Sequence, residues 1–300
     1  MRIQTICACV ILMTGLMGCD DDSYDTSDAG ADNDTAAINT DDTPLVDSEN
    51  LADSRSPGCG LDTPLSSGNY SENINGIART WMLDVPPDYN PNKLYRLIFV
   101  WHPLMGSASQ VAGGDYNGLK SLSAGSTVFV AADGLQGRNS EAAGTGWWNV
   151  DGSDMALFET MLHRVNTGLC IDQERVFSTG FSFGGMMSYT IGYEFNVFRA
   201  VAPCSGDMEV IPYNIHFSNP LPIMAFHGDA DPVVSLDRGV IAWDNYLARN
   251  NCSPMTAPVS PSPCVEYPGC DVPTIWCQFE GGHAPMTGSP QAIWDFFSQF

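Results

Sequence analysis

Three hundred residues at 44% hydrophobic and 10% aromatic content are enough for one sizeable core, and α/β folds commonly spend over two hundred residues on a single one. The formal charge is −23 with only 12 Lys and Arg, which excludes a nucleic-acid partner because phosphate binding needs a basic face. The acidity is uneven: residues 20–57 hold twelve Asp and Glu against Arg55 alone, so an acidic extension precedes a less acidic body.

The chain opens MRIQTICACVILMTGLMGCDDD, with one positive charge, an apolar run from Ile6 to Met17, and small Gly18 before Cys19. The run is too short for a comfortable membrane span. Leu16, Met17, Gly18 and Cys19 resemble the end of a bacterial lipoprotein signal peptide, with Met17 slightly off the pattern. The resemblance implies a signal over 1–18 and a lipidated Cys19 as membrane anchor; an ordinary secretory signal, giving a secreted protein, is the alternative. Either way the body is exported. Residues 19–57 are rich in Asp, Ser, Thr, Ala and Asn and hold one aromatic, Tyr24, so they cannot bury enough apolar area to offset their ordering entropy. They read as a disordered tether. The acidic run after Cys19 is similar to surface-export signals in some two-membrane bacteria and to inner-membrane retention signals in others. The anchor is expected at the outer membrane or cell surface, with its membrane face left open.

With Cys7 and Cys9 in the signal and Cys19 lipidated, seven cysteines remain, an odd number that leaves at least one unpaired. Four fall within 252–277 around a Pro- and Ser-rich loop. No CxxC pair is present, so disulfides stapling an insertion are expected there, not zinc. The pairing is not readable from spacing. Cys204, ending the apolar run FRAVAPC, is expected as the free thiol, a small hydrophobe in a buried strand.

Over 58–300, strand-like runs at 78–85, 94–101, 126–132, 175–180, 198–204, 221–228 and 274–280 alternate with helix-like segments at 155–169, 185–195, 238–250 and 291–300. That alternation predicts a mostly parallel sheet with helices on both faces. Asp154, at a helix start, reads as a structural acid on the helix dipole.

The fourth run and the helix after it are joined in RVFSTGFSFGGMMSYTIGY, in which Gly180, Ser182 and Gly184 form GxSxG. On a strand-to-helix turn this is a nucleophile elbow, where flanking glycines permit close approach and the hydroxyl stands above the strand end. A serine at its ordinary pKa needs a base, and the base an orienting acid. His283, in EGGHAPM beyond the last strand, is the expected base. His102 and His227 end strands and read as loop-shaping residues, while His163 falls mid-helix and His216 in a loop. For the acid, FHGDADPVV offers Asp231, preferred, and Asp229; Asp207 is more distant. Two backbone donors must face the oxyanion. Phe183, after the nucleophile, supplies one. Pro103 in HPLMG has no N–H, so Leu104 is expected to supply the other.

The stretches SPGCG, YRLIFVWHPLMG, GTGWWNVDGSD, VFSTGFSFGGMMSY, HGDADPVV and WCQFEGGH, spread over nearly all of 57–300, resemble the feruloyl esterases of carbohydrate esterase family 1, in the polyhydroxybutyrate depolymerase-like branch of α/β-hydrolases. The resemblance implies an α/β-hydrolase catalytic domain over 58–300, and a Ser182, Asp231, His283 triad hydrolysing hydroxycinnamoyl esters on feruloylated arabinoxylan or a related plant cell-wall ester. It favours Asp231 over Asp229, since the family pattern is HGxxDxxV. No metal or organic cofactor is implied. HP stands where many relatives have HG, which bears on the oxyanion loop. For a flat phenolic acyl group, Trp147, Trp148 and Phe183 are candidates for an aromatic slot. Runner-up readings are an acetyl xylan esterase or polyester depolymerase with the same triad, and an inactive glycan-binding surface lipoprotein.

Overall fold

The computed structural model describes residues 54–137, 144–212 and 219–300. The first half of the described chain holds β1 (Gly68–Ile74), β2 (Ile77–Asp84), β3 (Tyr95–Trp101), α1 (Ala108–Gly113), α2 (Leu119–Ser123), β4 (Thr127–Ala132), β5 (Leu135–Gln136) and β6 (Thr145–Gly146). There follow α3 (Ser153–Gly168), β7 (Ile171–Phe181), α4 (Phe183–Glu194), β8 (Ala200–Cys204), β9 (Ile223–Gly228) and α5 (Leu236–Arg249). The chain closes with β10 (Ala257–Pro258), β11 (Val265–Glu266), β12 (Thr274–Phe279) and α6 (Ser289–Phe297).

Among the described residues ten strands form one sheet, ordered β1-β2-β4-β3-β7-β8-β9-β12-β11-β10. The six from β4 to β12 run parallel, and antiparallel pairs extend both edges. Strands covered on both faces should read as continuous apolar runs, and YRLIFVW does. Leu97, Phe99 and Trp101 enter one apolar cluster with α3, α4 and α5, whereas Ile98 and Val100 enter the other with α1, α2 and α6. This is the α/β-hydrolase architecture expected.

Four differences from the sequence reading have physical causes. Strand β1, GNYSENI, has no sequence signal because it is a largely exposed edge strand with no apolar run. Helix α4, expected over 185–195, opens two residues earlier at Phe183, directly after the elbow serine, and is buried to Tyr193; the Tyr246 hydroxyl of α5 donates to the Tyr189 carbonyl 2.8 Å away. Residues 54–57, assigned to the tether, belong to the folded body: the Ser56 N–H donates to the Ile171 carbonyl at 2.9 Å, and Ser54 and Ser56 are buried. Asp154 does more than face a helix dipole, since it is buried in an ion pair with Arg79 at 2.7 Å. The signal, Cys19 and the rest of the tether lie outside the described residues, as does His216.

Cys59 pairs with Cys170, Cys252 with Cys270 and Cys264 with Cys277. Cys204, in β8, is free and buried. The last two bridges staple the Pro-rich loop before β12. The first closes 111 residues, for which chain entropy predicts about 4–5 kcal/mol of stabilisation. Disulfides of this kind form in an oxidising compartment, so the body is exported.

Candidate active site

β7 leads directly into Ser182, whose φ of 58° and ψ of −120° lie where side chains are rarely tolerated. Neighbouring glycines make that turn possible. A Cβ on Gly180 would overlap the Gly184 carbonyl, and one on Gly184 would overlap the Trp101 carbonyl, so strand, helix and β3 approach at van der Waals limits. The Ser182 N–H donates to the Cys204 carbonyl at 2.9 Å, which pins the elbow to β8.

Asp231 and His283 come from loops after β9 and β12, adjacent parallel strands whose carboxyl ends bring the loops together. The loops are laced by backbone. Ala230 N–H donates to Gly281 O at 2.9 Å, and Asp229 N–H to Phe279 O at 2.9 Å, while Asp229 Oδ1 accepts the Gly281 N–H at 3.1 Å. Asp229, the alternative acid, is thus a brace for the histidine loop. Asp207 sits elsewhere, 2.7 Å from Arg238.

His283 Nδ1 lies 2.6 Å from Asp231 Oδ2, and His283 Nε2 lies 2.8 Å from Ser182 Oγ. The other carboxylate oxygen, Oδ1, accepts the N–H groups of Val233 and Val234 at 2.8 and 2.9 Å. Burial acts to raise the Asp231 carboxyl, but the hydrogen bond from His283 and the two backbone donors outweigh it and hold the carboxyl below its ordinary value. An ionised carboxylate only accepts, so Nδ1 carries the imidazole proton. The Nε2 lone pair then faces the serine hydroxyl.

The other strand-end histidines shape loops, as expected. His227 is buried, and its Nε2 donates to the Val234 carbonyl at 2.9 Å, closing the turn that wraps Asp231. His102 accepts the Gly134 N–H on Nε2 at 2.9 Å, so its Nδ1 donates to the Pro103 carbonyl at 2.7 Å. Burial lowers its pKa, more than the Pro103 carbonyl raises it, which keeps this ring neutral. The loop carrying Leu104 is held from both ends, since Met105 N–H also donates to Thr145 O at 2.7 Å. Among the described residues the Leu104 N–H has no acceptor, and Phe183 opens α4, where N–H groups lack intrahelical partners. His163 is exposed on α3.

Ser182, Phe183, Leu104 and Trp148 share an apolar recess of about 150 Å³. Met186, Val210, Val233 and Val234 complete its walls, with Arg238 at the side. Val210 and Arg238 carry no sequence signal, while Met186, Val233 and Val234 fall in quoted motifs but nothing in those motifs marks them as recess walls. Trp147 is a correction. It is fully buried, edge-on to Trp101 at 5.0 Å, and its indole N–H donates to the His102 carbonyl at 2.9 Å, so it supports the Leu104 loop from below and offers no face to the recess. Among the described residues no cluster of His, Cys, Asp and Glu is arranged to hold a metal ion.

No protein-family model matches the chain. Feruloyl esterase D of Neurospora crassa is 35% identical over 272 residues, covering 82% of this chain and 90% of the relative. Feruloyl esterase C of Emericella nidulans is 36% identical over 258 residues, covering 81% and 90%. Two solved structures share the fold. An acetyl xylan esterase from Aspergillus awamori aligns with a TM-score of 0.58 at 14% identity over 77% of this chain and 99% of its own. A CE1 ferulic acid esterase from Anaeromyces mucronatus, solved in complex with ferulic acid, gives 0.53 at 17% identity over 79% and 91%.

Proposed function

The chain belongs to the feruloyl esterase family and is a carboxylic ester hydrolase, and on that premise we propose that it cleaves feruloyl and related hydroxycinnamoyl esters of plant cell-wall polysaccharide through an acyl-enzyme on Ser182. The observation that carries this reading is the unbroken hydrogen-bonded line from Asp231 through His283 to the Ser182 hydroxyl. Ser182 Oγ attacks the ester carbonyl as His283 Nε2 takes its proton. Negative charge gathers on the carbonyl oxygen, toward the N–H groups of Leu104 and Phe183. The tetrahedral adduct collapses, His283 passes the proton to the departing sugar oxygen, and the acyl group stays on Ser182. Water, deprotonated by the same imidazole, then releases the acid. Asp231 holds the imidazole's tautomer throughout and stabilises its transient charge.

The acyl ring is assigned to the recess lined by Trp148 and Leu104, whose apolar walls suit a flat phenol. Methyl ferulate, p-nitrophenyl acetate and acetylated xylan offered in parallel test this. Ferulate release with kcat/KM well above that for acetylated xylan is expected. Turnover of the acetate esters with methyl ferulate untouched would leave an esterase of another acyl preference.

Anchoring at the cell envelope through a lipidated Cys19 is part of the same proposal, supported by the apolar run and the Leu-Met-Gly-Cys sequence. Fatty-acid label should enter the wild-type chain and be lost in Cys19→Ser. Equal labelling of both, or of neither, removes the anchor.

A further inference from the structure

A second apolar cavity, of about 380 Å³, lies at the carboxyl ends of β3, β7 and β8, between the sheet and the start of α6. Its position is set by neighbours of the reacting groups. Phe181 precedes Ser182, Pro103 precedes Leu104, and Pro285 and Met286 follow His283; all four line it. The Phe181 ring also packs on the His283 imidazole, with centroids 4.9 Å apart. Because His283 must hand its proton to the oxygen of the departing alcohol, the alcohol half of an ester leaves on the imidazole's side of Ser182. The smaller recess holds Ser182 itself and both oxyanion-donor residues, which suits the acyl half.

The cavity's chemistry selects what enters it. Trp101, Met286 and Ile293 give it a carbon-rich interior, and no charged side chain lines it. The Thr179 hydroxyl is already spent on the Ala202 carbonyl at 2.6 Å. Asn117, Ser289 and the weakly polar free thiol of Cys204 remain as the other polar side chains among its lining residues. Asn117 stands in a run of four left-handed residues, Asp115 to Gly118, with φ between 51° and 84°, and includes buried Tyr116, for which that conformation is a true outlier. The turn is fixed against α6, since Gly118 abuts Pro290, another lining residue. A pentose placed inside would bury several hydroxyls without partners, which is costly. An apolar ring would not.

We infer that the enzyme has a built alcohol-side pocket, and hence a second substrate class: hydroxycinnamoyl esters of apolar arylalkyl alcohols, with the alcohol's ring in the cavity beside Phe181 and Met286. Polysaccharide alcohols stay outside it, in solvent. The inference rests on the proposed feruloyl esterase reading. The chemistry is unchanged: the acyl C–O bond breaks as the Ser182 ester forms, His283 protonates the departing arylalkoxide, and water completes hydrolysis.

Steady-state kinetics on 2-phenylethyl ferulate against methyl ferulate test it. Wild type is expected to show about tenfold lower KM for the phenylethyl ester. In Ile293→Trp, which fills the cavity, the ratio of kcat/KM between the two esters should fall to near one. 2-Phenylethanol should inhibit wild-type cleavage of methyl ferulate competitively, at concentrations where methanol does nothing, a reading that needs no variant to fold. Equal KM for the two esters together with no inhibition by 2-phenylethanol overturns the pocket while leaving the feruloyl reading intact. No turnover of either ferulate ester, with acetate esters cleaved, overturns that reading instead.

Discussion

His283→Ala is expected to lower kcat for methyl ferulate by about 10⁴- to 10⁶-fold while leaving the thermal midpoint within a few degrees of wild type. The two effects separate because of where the side chain sits. Its imidazole makes two hydrogen bonds, to Asp231 at 2.6 Å and Ser182 at 2.8 Å, and it sits on a loop beside the apolar recess with an edge open to solvent, so water enters the space that truncation leaves. Without it the serine has no acceptor for its proton. Asp231→Asn should cost less, on the order of 10⁴-fold, because an amide facing Nδ1 can present its own N–H and favour the wrong tautomer. That substitution also removes an ionised acceptor from the Val233 and Val234 donors. Steady-state rates and thermal melts on both variants decide the matter: a His283→Ala protein within tenfold of wild type would mean another base serves Ser182.

The second large effect is on stability. Arg79→Met should destabilise the fold by about 3–5 kcal/mol, lowering the melting midpoint by roughly 6–20 °C. Arg79 in β2 is 1% exposed and donates to Asp154 Oδ1 at 2.7 Å, to the Ser153 carbonyl at 3.1 Å and to the Asp133 carbonyl at 3.1 Å. The other Asp154 oxygen accepts the Asn149 N–H at 2.6 Å, and Asn149 Oδ1 accepts the Asp154 N–H at 3.1 Å. This network ties the segment carrying Trp147 and Trp148 to the start of α3. Burial already pushes the Asp154 carboxyl up, opposed chiefly by the Arg79 guanidinium. Deleting the cation removes that opposition and raises the carboxyl further. A group whose folded pKa is raised takes up a proton in the folded state, so the penalty of a buried, unpaired charge is full above that pKa and lifts as pH falls through it. The deficit of Arg79→Met relative to wild type should therefore shrink as pH is lowered through that raised pKa. Replacing both partners, Arg79→Met with Asp154→Leu, should recover much of the loss. A deficit that is independent of pH, or one that the double replacement deepens, would place the cost in packing and not in charge.

What the sequence made legible follows from what each signal depends on. The parallel strands were readable because a strand covered on both faces, such as YRLIFVW, has no room for polar residues. The elbow was readable because its backbone admits few alternatives to glycine at positions 180 and 184, where any Cβ meets a carbonyl. Asp231 and His283 stood out as titratable groups in turn-rich loops after apolar runs. Trp147 went astray because composition does not say which way a ring turns: the pair Trp147-Trp148 reads alike, yet one indole donates to the His102 carbonyl and the other to the Gly144 carbonyl at 3.0 Å. The recess walls contributed by Val210 and Arg238 carry no sequence signal, since they meet only through the ordering of β8, β9 and α5. Asp229, the alternative acid, instead accepts the Gly281 N–H and braces the loop that carries His283.

The most direct measurement is the site of covalent capture. Treating the enzyme with an organophosphorus fluoridate and digesting it should give one adduct per chain, on the peptide containing Ser182, with loss of ferulate release in proportion to labelling and no adduct in Ser182→Ala. Full labelling elsewhere, or undiminished ferulate release from a chain quantitatively modified at Ser182, would contradict an acyl-enzyme at that serine.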